Sequence, residues 1–89
     1  MFQVYLIISG KVQGVFYRVS CQEIAQGLGL TGWVKNLPTG QVEILAQGEK
    51  EKIEKLIEWC NKGPPGAKVS EVKVEWQNNL NKFVQFQIK

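Results

Sequence analysis

Eighty-nine residues, 44% of them hydrophobic, are enough for one folded domain and too few for a second core. Eleven basic against eight acidic side chains leave +3, too mild and scattered an excess to predict nucleic-acid binding. The chain has no His and no Asp, which removes Ser-His-Asp and Cys-His catalysis, histidine metal sites and EF-hand loops together.

Residues 2 to 9 alternate, with Phe2, Val4, Leu6 and Ile8 on one side, and predict a strand with one buried face. Tyr5 and Ile7 make the other face fairly apolar too, which suits a central position. The apolar stretch Val4 to Ile8 is strand-sized and follows Met1-Phe2-Gln3 without a basic leader or cleavage site. A cytoplasmic protein with no membrane partner is therefore expected. Gly10 to Gly14 reads as a loop. From about Tyr17 to Leu28, the spacing of Cys21, Ile24, Ala25 and Leu28 predicts an amphipathic helix, which Gly27 and Gly29 would end.

Trp33 to Asn36 and Val42 to Gln47 are short strands, with Leu37-Pro38-Thr39-Gly40 as the hairpin loop between them. Ile53, Leu56, Ile57 and Cys60 mark a second helix that Gly63-Pro64-Pro65-Gly66 stops. Val69 to Trp76 alternates strictly. Asn78 to Lys82 then turns the chain into a last strand, Phe83 to Ile88. The order β-α-β-β-α-β with a further C-terminal strand predicts an α+β fold. Two antiparallel helices on one face of a mostly antiparallel sheet make a ferredoxin-like α/β sandwich.

Three features point elsewhere and fail on context. Gly27-Leu28-Gly29-Leu30-Thr31-Gly32 spells a G-x-G-x-x-G pattern, but it follows a helix and precedes a strand, the reverse of what dinucleotide binding needs. Phe83-Val84-Gln85-Phe86 matches only the tail of an RNA-recognition consensus, and Glu43, Glu71 and Glu75 would repel phosphate from that sheet face. No cofactor and no nucleic acid are expected. Cys21 and Cys60 fall on apolar helix faces and read as small buried hydrophobes. Antiparallel helices could bring them within reach of a disulfide, which a reducing cytoplasm disfavours. Trp33, Trp59 and Trp76 read as core or half-buried anchors.

The segment with chemistry in it is Gly10-Lys11-Val12-Gln13-Gly14-Val15-Phe16-Tyr17-Arg18. It joins the first strand to the first helix, so its end presents free backbone N–H groups at a helix N-terminus, where glycines allow a nest for an anion. Arg18, the sole arginine beside ten lysines, falls in the first helical turn, where a cation opposes the helix dipole. An anion held between the two resolves that conflict; a solvent-pointing side chain is the alternative.

Gly10-x-Val12-Gln13-Gly14-Val15-x-Tyr17-Arg18 resembles the first signature of the acylphosphatase family. Gly32-Trp33-Val34-Lys35-Asn36 followed by Gly40-x-Val42 and Gly48 resembles the second. The fixed letters of the first alone arise by chance at about 10⁻⁷ per starting position. The likeness spans residues 1–89 as a single acylphosphatase-like domain; Tyr17 stands where Phe is commoner. It implies a phosphate cradle from the backbone of Gln13, Gly14, Val15, Phe16, Tyr17 and Arg18, completed by the Arg18 guanidinium. Asn36 matches the family's water-orienting amide. Hydrolysis of carboxyl-phosphate anhydrides by in-line attack of water is implied, without a metal ion, a cofactor or a phosphoenzyme. The expected ligands are a small acyl phosphate and, as product mimics, inorganic phosphate or sulfate; the expected state is a monomer. The alternative is a non-catalytic module that uses the same cradle only to hold an anion or acyl phosphate.

Overall fold

Alternating apolar residues build the centre of the sheet. In the computed structural model, which describes residues 1–78 and 81–89, β1 (Phe2–Lys11) buries Val4, Leu6 and Ile8 on one face. It pairs antiparallel with β3 (Val42–Gly48) on one side and β4 (Lys68–Gln77) on the other. β3 pairs antiparallel with β2 (Thr31–Asn36), and β5 (Phe86–Ile88) adds parallel to β2. The order across the sheet is β4-β1-β3-β2-β5.

Register sets Val4, Leu6 and Ile8 beside Ala46, Ile44 and Val42, all fully buried. Over this face lie α1 (Tyr17–Gly27), which buries Tyr17, Cys21 and Ala25, and α2 (Lys50–Lys62), which buries Ile53, Leu56 and Cys60. Each fully buried Leu, Ile or Val contributes about 1.5–3 kcal/mol of transfer free energy. Both cysteines are free thiols. Hydrogen bonding to Cys60, together with burial, holds the Cys21 thiol protonated well above its usual range, so they pack as small apolar groups. α1 ends with Leu30 N–H donating to Ala25 O at 2.9 Å and Gly29 N–H to Gln26 O at 3.0 Å, the paired bonds of a Schellman cap.

The opposite face carries no helix and mixes charged and polar residues with Ile7, Leu45 and Trp33. Glu43, Ser9 and Tyr5 share it with Glu71 and Glu75, as the alternation predicts. The Tyr5 hydroxyl donates to Glu43, which pushes the phenol pKa up to about 12, and Lys35 pairs with Glu43 at 3.3 Å.

The structure departs from the sequence reading at two ends of strands. β1 continues through Lys11 because a bulge between Ser9 and Gly10 lets it keep pairing with β4. Gly10 sits at φ +120° against the Lys68 carbonyl, where a side chain would collide. The last strand is only Phe86–Ile88, not Phe83 to Ile88. β4 and β5 occupy opposite edges, so the connection must cross four inter-strand spacings, about 19 Å. It crosses past Gln3 and Gln47: Asn81 N–H donates to Gln3 Oε1 at 3.0 Å, and Gln47 Nε2 donates to Asn81 O at 2.7 Å. Residues 81–84 lie outside any strand, and Val84 is 95% exposed. The turn expected over Asn78 to Lys82 falls partly on residues 79 and 80, outside the described residues.

Candidate active site

Residues 12–16 carry the chain from β1 into α1, and two left-handed residues shape them. Gly14 has φ +76° and Phe16 φ +63°. Glycine adopts this conformation without steric cost. Phe16 does so at about 1–2 kcal/mol, the only non-glycine residue with positive φ among the described residues. Alternating the sign of φ along 14, 15 and 16 is the backbone pattern that turns successive N–H groups inward as an anion nest. Among the described residues, the N–H groups of residues 13–18 find no acceptor within the protein; bonding resumes where Ser20 N–H meets Phe16 O at 3.0 Å. α1 therefore begins with no capping side chain and no acid in its first turn. Its open end carries about half a positive charge from the aligned peptide dipoles.

Arg18 and Asn36 line one cavity of about 200 Å³, together with Gln13, Gly14, Phe16 and Val19. Arg18 comes from the first turn of α1. Asn36 is the last residue of β2 and sits opposite Val42, on the face the helices cover. Its Oδ1 is buried and has no hydrogen-bond partner among the described residues. An unsatisfied buried acceptor costs about 1–3 kcal/mol. A wider hollow of about 570 Å³ opens beside the turn after α2, but Trp59, Pro64 and Pro65 wall much of it and neither Arg18 nor Asn36 reaches it.

The remaining loop residues divide by side chain. Val15 packs against the core. Tyr17 is 1% exposed, its ring tilted against Trp59 at 5.0 Å and its hydroxyl donating to Cys60 O at 2.7 Å. It ties the start of α1 to the end of α2, and burial pushes its phenol pKa up. Phe16 points away from the core and is 79% exposed.

Sequence reasoning gave Gln13 a backbone role alone and overlooked its side chain. Gln13 Nε2 donates to Leu37 O at 2.8 Å and to Gln41 O at 2.9 Å. Those two carbonyls flank the β2–β3 turn, which closes through Leu37 N–H to Gln41 O at 2.8 Å and is tied to β1 by Gln41 Nε2 donating to Ser9 Oγ at 2.9 Å. One amide thus fixes the loop before α1 against the turn after Asn36. Val19 was also overlooked, although it lies two residues, about 200° of helix, off the buried Cys21 stripe. An apolar residue on the wrong side of a helix was the available signal.

Fold and site together define a ferredoxin-like α/β sandwich whose first strand-to-helix loop and second strand enclose a small polar cavity. The family model described as Acylphosphatase matches residues 4–88. An acylphosphatase of Acaryochloris marina is 55% identical over 92% of this chain and 87% of its own length. The crystal structure of acylphosphatase from Bacillus subtilis superimposes with a TM-score of 0.97 at 37% identity, covering 100% of this chain and 99% of that one. The structure of an acylphosphatase from Coxiella burnetii gives 0.95 at 44% identity, covering 99% and 92%. The chain belongs to the acylphosphatase family.

Proposed function

We propose that the chain hydrolyses acyl phosphates by direct attack of water on phosphorus, with Arg18 and the loop amides holding the PO₃ group and Asn36 holding the water. Family membership supports the reaction. The division of roles is supported by Arg18, Asn36 and the unbonded amides meeting around one cavity. The observation that carries it is the buried, unpartnered Oδ1 of Asn36. An acceptor there takes one O–H of a water and leaves the water's lone pair free for phosphorus.

In the reaction the water oxygen bonds to phosphorus as the bond from phosphorus to the carboxyl oxygen breaks. The carboxylate departs with the bonding pair, and the water's proton passes to a phosphoryl oxygen to give dihydrogen phosphate. A carboxylate is a good leaving group, so no general acid is required, and the substrate's own oxygen accepts the proton. Positioning and charge stabilisation then suffice, which a chain without His or Asp can supply with no metal or cofactor. Inorganic phosphate or sulfate competes for the same cradle. The protein acts as a cytoplasmic monomer, a single domain over residues 1–89, without a nucleic-acid or membrane partner. Among the described residues no helix is long and apolar enough to cross a membrane.

The test is turnover of benzoyl phosphate beside a phosphate monoester, with EDTA present. Hydrolysis of the acyl phosphate alone is expected, because the alkoxide of a monoester leaves poorly. Phosphate binding without turnover of either would identify a non-catalytic anion-binding module. Activity lost to EDTA would identify metal-dependent chemistry.

A further inference from the structure

The cavity of about 200 Å³ lies between the loop and Asn36. With the PO₃ group held by the loop amides and Arg18, in-line displacement sets the acyl group on the side of phosphorus away from the water on Asn36. The acyl group then extends over the rim.

The rim beside Arg18 is apolar. Phe16, 79% exposed, and Val19, 46% exposed, lie three residues apart and both line the cavity. Neither belongs to the core cluster, whereas Tyr17 does and Val15 packs against it. The left-handed backbone at Phe16 swings its ring out of the protein while its N–H stays in the loop. Two large apolar side chains, solvated and adjacent at the mouth of a polar cavity, gain by covering an apolar ligand surface.

We infer that Phe16 and Val19 bind the acyl group, and that Phe16 makes the site prefer aromatic or bulky apolar acyl phosphates over acetyl phosphate. This inference rests on the acyl-phosphate reading above and deepens it by naming the substrate class. Ring-on-ring or ring-on-alkyl contact forms outside the reacting bonds, so it enters as binding of that substrate in ground and transition states alike.

The experiment compares kcat/KM for benzoyl and acetyl phosphate in the wild type, Phe16→Ala, Phe16→Gly, Phe16→Leu and Arg18→Lys. Damage to the cradle scales both substrates together and cancels in their ratio. The benzoyl-to-acetyl ratio is expected to fall about three- to tenfold in Phe16→Ala and equally in Phe16→Gly, to recover partly in Phe16→Leu, and to stay unchanged in Arg18→Lys. A ratio that holds in both Phe16→Ala and Phe16→Gly overturns the inference and leaves Phe16 a backbone role alone. A fall in Phe16→Ala that Phe16→Gly reverses also overturns it, because the effect would then be conformational. A wild type that hydrolyses neither compound overturns the underlying reaction instead. Circular dichroism of each variant, with Phe16→Leu as the mildest change, separates these results from misfolding.

Discussion

The two helices lie side by side on one sheet, yet their N-termini are built on opposite principles. α2 is matched to its dipole, with Glu51 in the first turn and Lys62 in the last. α1 has no acid in its first turn and no base in its last, and it places Arg18 where a cation is unfavourable. α2 begins from Glu49 in extended conformation; α1 begins from a left-handed phenylalanine. The α2 terminus is matched for stability, whereas the α1 terminus forgoes both the acid and the capping side chain.

The comparison breaks hardest at Arg18. Arg18→Ala should lower kcat/KM about 10- to 150-fold, since a charged hydrogen-bond partner is worth about 1.5–3 kcal/mol. Phosphate at ten times its wild-type Kd should raise the wild-type Tm by several degrees and shift Arg18→Ala by less than about a third as much. Arg18→Glu would give α1 the polarity of α2: activity should vanish while Tm rises by about 2–6 °C, from about 0.3–1 kcal/mol of dipole interaction. A fall in Tm on that change would remove the claimed conflict.

Next in size is Asn36→Ala, expected to lower kcat about tenfold with phosphate inhibition little changed. Lost phosphate inhibition would assign Asn36 to the cradle rather than the water. Gln13→Ala removes both bonds to the β2–β3 turn and should cost about 1–2 kcal/mol, a Tm fall of about 5–10 °C, with activity reduced as Asn36 loses its register against the loop. The smallest effect belongs to the well-matched helix. Glu51→Ala should cost a few tenths of a kcal/mol in thermal melts and leave turnover at the wild-type rate.

What was legible in the sequence follows from how local each signal is. The alternation at Val4, Leu6 and Ile8 and the stripe Cys21, Ile24, Ala25 are set by neighbours a few residues away, so element order and fold class emerged intact. The glycines of the β1–α1 loop and the single arginine at the start of α1 were equally visible. Three facts were not. The brevity of β5 depends on which edge it must reach, a property of the whole sheet. The Gln13 amide bonds carbonyls 24 and 28 residues away, and nothing in its immediate sequence announces that. The left-handed conformation of Phe16 overrides a strong preference of bulky residues, so propensity argued against it.

The placement of β4 at one border of the sheet and β5 at the other has a consequence for self-association. A border strand offers unpaired main-chain groups that can recruit another molecule into a growing cross-strand stack. β5 offers only three residues, too few to nucleate such growth. β4 offers ten, with Val74 and Trp76 partly exposed along it. Its uncovered side presents Glu71, Lys73 and Glu75 in turn. An incoming copy of the same strand would have to bring its own carboxylates and ammonium into that ladder, so these charges act as gatekeepers against aggregation.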